Sequence, residues 1–135
     1  MGFLIDTCIW VDVERGTLGP GDVEGYTRSE PVFISPITIA ELTFGIEMAK
    51  NDNIRYRRLA ALDRLKRSPI LFIDDITGDV FGRIAVALRR KGRHSHHRVQ
   101  DIWLASQAIQ HGYRFLTSNG REFADIPGLD VVVVG

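Results

Sequence analysis

The rhythm of apolar and polar positions changes several times along this chain and divides it into strands and helices. Phe3-Leu4-Ile5 is a short apolar run cut off by Asp6, the pattern of a buried strand. Thr7 to Val13 fits a short helix, and the Gly- and Pro-rich stretch Gly16–Gly21 fits a loop. Val32 to Ile34 predicts a second strand. Ser35-Pro36 then supplies an N-cap and a first-turn proline for a helix reaching about Lys50. A basic helix is expected from about Asn53 to Arg67, a third strand over Ile70–Ile73, and a helix over Thr77–Lys91 that Gly92 ends. After the loop GRHSHHR, Val99 to His111 is helical and Gly112 closes it. Phe115 to Thr117 and Val131 to Val134 complete five strands. Strands alternating with helices predict one α/β domain over residues 1–135, with a mostly parallel sheet of about five strands covered on both faces. Ligands of such folds gather at the carboxyl ends of the strands.

Three acids stand where this pattern expects something else. Asp6 ends a buried strand directly, although an N-cap for the next helix would also explain it. In the helix after Ser35, Ile37, Phe44 and Met48 fall on one line, and Glu41 lies about 40° from it. Leu42, Ile46 and Ala49 form a second apolar face, while Thr43, Glu47 and Lys50 form the polar strip. Glu47 is therefore a solvated glutamate and Glu41 is not. A buried carboxylate needs a cation or a metal to receive it. Asp101 opens its helix on the face of Leu104, Ala105 and Ala108, which should pack on the sheet. The helix dipole alone would also favour an acid there. Together the three offer an oxygen-only ligand set, which suits Mg²⁺ or Mn²⁺.

Composition adds the setting. The 135 residues are 44% hydrophobic and 25% charged, with a formal net charge of zero. No apolar run approaches the roughly 20 residues of a membrane span, and MGFLID does not read as a secretory signal. The one cysteine, Cys8, sits among apolar neighbours and is expected to be a buried, inert thiol of a cytoplasmic protein. Charge is unevenly spread. Residues 1–50 hold 3 basic and 8 acidic side chains, and residues 51–100 hold 12 and 5. Arg83, Arg89, Arg90, Lys91, Arg93 and Arg98 follow one another with no acid between them. They are candidates for contacts to nucleic-acid phosphates, or simply for a solvated helix end. His94, His96 and His97, in a Gly-containing loop with no cysteine near, match a zinc site only weakly and are alternatively contacts to RNA. Trp10 and Trp103 fall in apolar helical patterns and are expected in the core.

The stretches FLIDTCIWVD, ISPITIAELTFGI and QDIWLASQAIQHGYRFLTSNGREF, with the final apolar strand, resemble the PIN-domain proteins over nearly the whole chain. More closely, they resemble the VapC-type toxins of bacterial toxin–antitoxin pairs. The resemblance implies a three-layer α/β/α sandwich and a Mg²⁺- or Mn²⁺-dependent endoribonuclease acting on tRNA or ribosomal RNA. It matches Asp6, Glu41 and Asp101 to the family's metal-site acids and Thr7 to a hydroxyl that assists them. Asn119 stands where many PIN domains carry a fourth acid, with Glu122 as a substitute and Thr117 as a member of the hydrogen-bond network. It also implies a small antitoxin partner, a homodimer and a larger toxin–antitoxin complex. Three other readings compete. A phosphoacceptor receiver would use Asp74 and Asp75, but no lysine follows Lys91. A non-cleaving PIN domain that binds RNA or protein would fit the neutral Asn119. A structure-specific DNA 5′-nuclease would need more acids and a longer chain.

Overall fold

A computed structural model describes residues 1–93 and 98–135. Strands β1 (Phe3–Ile5), β2 (Val32–Phe33), β3 (Arg114–Thr117) and β4 (Val131–Val133) form a sheet in the order β2-β1-β3-β4. Every pairing is parallel, with Leu4 opposite Phe33 and Phe115, and Leu116 opposite Val132. The helices are α1 (Thr7–Arg15), α2 (Pro20–Thr27), α3 (Pro36–Glu47), α4 (Asp52–Leu65), α5 (Asp75–Arg90), α6 (Val99–His111) and α7 (Gly120–Phe123).

The period of two along each strand sorts side chains between the faces. Leu4 and Phe115 pack with Ile84 and Leu88 of α5, Ile102, Leu104, Ala105 and Ala108 of α6, and Phe123 of α7. Phe3, Ile5 and Leu116 pack on the other face with Ile9 of α1 and Val23 of α2. Layers of helix on both sides of a parallel sheet are the expected α/β/α arrangement. The same alternation turns Asp6 and Thr117, each one step past Ile5 and Leu116, towards the α6 side.

The expected third strand is reduced to one bridge. Ile70 pairs with Ile34, Ile34 N donates to Pro69 O at 3.0 Å, and Leu71 N donates to Ile34 O at 2.9 Å. The Leu71 carbonyl is then taken by Gln107 Nε2 at 2.7 Å. The next donor along the ladder would be residue 36, but Pro36 has no N–H, so a buried side chain of α6 satisfies that carbonyl instead and Phe72 and Ile73 leave the sheet exposed. The sheet has four strands where about five were expected. Two short helices were not expected. Pro20 opens α2 at its first turn, and Asp22 caps it by accepting from Gly19 N at 2.9 Å. One turn, α7, follows β3. Elsewhere the punctuation reads as expected: Gly16, Gly92 and Gly112 adopt φ of 82°, 76° and 69° just past α1, α5 and α6.

Two glycine substitutions should have opposite signs. Gly112→Ala forces a left-handed residue onto a side chain and should cost about 1 kcal/mol. Gly82→Ala lies within α5, where an added Cβ meets nothing within 4 Å, and should stabilise by roughly 0.5–1 kcal/mol. Urea unfolding midpoints check both.

Candidate metal centre

Asp6 is 6% exposed and occupies the N-cap position of α1, yet its side chain makes no capping bond. Its carboxylate turns inwards: Thr117 Oγ1 donates to Oδ2 at 2.8 Å, and Cys8 Sγ donates to the same oxygen at 3.3 Å. Each of these donors is itself oriented. Asn119 N donates to Thr117 Oγ1 at 2.9 Å, and Ser118 Oγ donates to Cys8 Sγ at 3.2 Å. Thr7 does the same for Glu41, donating to Oε1 at 2.8 Å. Thr38 Oγ1 lies 3.0 Å from Thr7 Oγ1. The single Thr7 proton goes to the carboxylate, which only accepts, so Thr38 donates to Thr7. Each carboxylate therefore has one oxygen fixed by a threonine.

Asp101 comes from the first turn of α6, beside the buried Leu104, Ala105 and Ala108, as its helical spacing requires. Burial raises its pKa to about 6, the Asp6, Glu41 and Glu122 charges push the same way, and Arg98 pulls it down. Burial also raises Asp6, against the bonds from Thr117, Cys8 and the Thr7 backbone. Glu41 is raised by burial and by Asp6, against the Thr7 bond. Three carboxylates in one electrostatic neighbourhood thus disfavour one another's ionised forms, the condition a bound cation relieves.

Among the described residues, no three His, Cys, Asp or Glu side chains converge tightly enough to chelate a metal alone. A Mg²⁺ ion typically takes only one or two protein carboxylates and keeps several waters. All the acidic donors are oxygens, so a hard divalent cation suits them.

Several expected residues stand differently. Glu41 is half-buried, but Phe44 and Met48 on its neighbouring line are 69% and 66% exposed. Of that line only Ile37 packs on the core, and Glu41 is held by the bond from Thr7. Glu47 is solvated, as expected, and pairs with Arg55 at 3.3 Å. Asn119 is exposed and contributes its backbone N–H, while Glu122 reaches Asp101 only through its charge. Cys8 is half-buried and joins the Asp6 network, so it is not simply an inert core thiol; burial and the Asp6 charge nonetheless raise its pKa. Trp10 and Trp103 are half-buried; Trp103 packs on Phe81 with ring centres 4.3 Å apart. Asp74 caps α5, accepting from Thr77 N at 3.1 Å and from Gln110 Nε2 at 2.9 Å. That capping role removes the basis for a phosphoacceptor. His94, His96 and His97 lie outside the described residues. Thr38 and Ser118 were not foreseen. Thr38 had one available signal, its position three residues before Glu41 on the same helix face.

Comparison with known proteins identifies the relatives of this chain. The PIN domain family model matches residues 3–129. The chain is 32% identical to ribonuclease VapC1 of Rickettsia felis, across 99% of this chain and 97% of that protein. It is 30% identical to ribonuclease VapC of Rickettsia bellii, across 99% and 97%. Its structure is similar to a chain of VapBC2 from Rickettsia felis, crystallised on a promoter DNA fragment, with TM-score 0.86, 25% identity and full coverage of both chains. DNA-bound VapBC from Salmonella typhimurium gives TM-score 0.83 and 27% identity over 98% of each chain.

The raised Asp101 pKa fixes a sign for stability. A carboxyl that holds its proton more tightly when folded stabilises the fold fully below its ordinary value of 3.8, and that stability is lost as pH rises through about 6. Asp101→Asn removes the loss. In EDTA at about pH 7.5 it should gain on the order of 1–2 kcal/mol after solvent screening, or roughly 3–6 °C in melting temperature. The gain should shrink at about pH 5. Thermal melts of both proteins at the two pH values check this.

Proposed function

This chain belongs to the PIN-domain family, within its VapC group, and we propose that it is a metal-dependent endoribonuclease, the toxin of a toxin–antitoxin pair. It hydrolyses RNA phosphodiester bonds, with tRNA or ribosomal RNA as the substrate class. The observation that carries this reading is geometric: Thr117 fixes one oxygen of the buried Asp6 at 2.8 Å, Thr7 fixes one oxygen of Glu41 at 2.8 Å, and the half-buried Asp101 opens α6, its carboxyl raised by burial and by the Asp6 and Glu41 charges. Perturbed, mutually repelling carboxylates mark a functional site. The names of the relatives, ribonucleases VapC, supply the reaction class.

Asp6, Glu41 and Asp101 are the proposed ligands of Mg²⁺ or Mn²⁺. Such an ion, when bound, supplies an acidified water and neutralises charge on the phosphodiester. The chain's own residues do the positioning. Thr117 holds Asp6 Oδ2 and leaves Oδ1 to face the site, and Thr7 does the same for Glu41 Oε1. Among the described residues, Arg98 is the cation that favours the ionised form of Asp101. No side-chain nucleophile is needed.

The partner is a small antitoxin. The neighbouring solved structures are named as VapBC assemblies. A groove of about 430 Å³ between α1, α3 and α4 has an apolar floor including Trp10, Leu42 and Leu62, a rim including Arg57 and Arg64, and Glu41 on its wall. That chemistry suits an apolar peptide carrying acids, laid across the site. A homodimer within a larger toxin–antitoxin assembly and a cytoplasmic location complete the proposal. Among the described residues, no helix is long and apolar enough to cross a membrane. A second reading, a non-cleaving RNA- or protein-binding module, is favoured by one feature, the neutral Asn119 where a fourth acid is common.

Purified, antitoxin-free protein incubated with tRNA and structured RNA separates the two. Discrete products with Mg²⁺ or Mn²⁺, absent in EDTA, are expected. Asp6→Asn, Glu41→Gln and Asp101→Asn should each lose at least about 100-fold, and Thr117→Val roughly 10–100-fold through the ligand it orients. Glu47→Gln should be silent. Full activity in Asp101→Asn would remove Asp101 from the site, and no cleavage by a folded, metal-loaded wild type would favour the binding module.

A further inference from the structure

The acid-free run from Arg83 to Arg98 does not form one surface. Arg83 and Arg90 line a shallow hollow on the outer face of α5, beside Asp79, Gly78 and Gly82. Arg98 is engaged internally. Its side chain is 15% exposed, and it grips Asp125 with two bonds, Nη1 to Oδ2 at 3.0 Å and Nη2 to Oδ1 at 3.1 Å. Nη2 also donates to the Glu122 carbonyl in α7.

Lys91 and Arg93 are arranged differently. Both reach Asp125: Lys91 Nζ donates to its backbone carbonyl at 3.3 Å, and Arg93 Nε lies 3.6 Å from Oδ2. Both oxygens of that one carboxylate are already gripped by Arg98, and Lys91 stays exposed and the Arg93 side chain 63% exposed. The α5 dipole does not account for them, because Arg89 and Arg90 already occupy its last turn. They sit where α5 ends, α6 begins and α7 follows. This corner lies at the start of α6, because Arg98, the residue just before that helix and three positions before Asp101, grips the same Asp125.

We infer that Lys91 and Arg93, gathered by Asp125, form a subsite for a backbone phosphate of single-stranded RNA on the α7 side of the carboxylate cluster. The inference rests on the ribonuclease reading for its ligand. Exposed cations next to an acidic centre hold the phosphates flanking the reacting one and fix the register of the strand. Asp125 keeps both cations at that corner, and the Arg98 grip ties the corner to the start of α6.

The test is an anisotropy titration of a labelled single-stranded oligoribonucleotide, with Ca²⁺ as the divalent ion, over salt from about 0.05 to 0.3 M. It compares wild type, Lys91→Gln, Arg93→Gln, the double variant, and Arg28→Gln. Arg28 precedes β2, at the opposite ends of the strands. Each single variant should lower the log–log salt slope by about 0.7, the double variant by about twice that, with several-fold weaker binding at about 0.1 M salt. Arg28→Gln should match wild type. In cleavage assays, KM should rise more than kcat falls. Slopes and affinities unchanged in the double variant, with wild type still cleaving, would overturn the subsite alone. The slope changes without any cleavage would uphold the subsite and remove the ribonuclease reading.

Discussion

Burial of three carboxylates, Asp6 after β1, Glu41 on α3 and Asp101 at the start of α6, is the constraint on which this site depends. Asp6, Glu41 and Asp101 come from three separate parts of the chain, and each is raised above its ordinary range by burial. Left to themselves, ionised acids move apart or into water. Here they are prevented by the elements that carry them. Asp6 directly follows β1, whose Phe3, Leu4 and Ile5 are at most 1% exposed, and Asp101 begins a helix whose inner face is as deeply buried. Close packing of that sheet and helix supplies the stability that offsets the cost of holding like charges together.

The hydroxyls around the acids refine the arrangement. A carboxylate with two free oxygens can rotate, whereas one fixed by a short hydrogen bond presents its other oxygen in a set direction. Thr117 and Thr7 serve Asp6 and Glu41 in this way, and each is backed by a further donor, Asn119 N and Thr38 Oγ1. These supporting groups lie on the ends of strands or the first turns of helices, the most rigid places the chain has near the site. Arg98 and Asp125 brace the remaining side, tying the start of α6 to the segment after α7.

Much of this was legible in the sequence where local chemistry dictated it. Alternation and turn residues placed β1, β3, β4, α5 and α6, and the spacing from Asp101 to Ala108 gave the correct buried face. The failures share a cause: long-range contacts that local patterns do not encode. The strand expected at Ile70–Ile73 stops where Pro36 offers it no N–H, and the Leu71 carbonyl goes to Gln107, 36 positions away. Phe44 and Met48 read as core by periodicity but stand in solvent on α3. Glu41 was read against the wrong neighbours, because the residue that bonds it, Thr7, is 34 positions away. Asp125 carried no signal at all, since its importance comes from three cations that only folding brings to it.

The most direct test is calorimetric titration of Mn²⁺ into the antitoxin-free protein at about pH 7 and about pH 5, beside Asp101→Asn. If the three carboxylates form a cation site, binding at the higher pH should release protons, weaken about tenfold or more at the lower pH, and largely vanish in the variant. Binding that is indifferent to pH and survives in Asp101→Asn would contradict it.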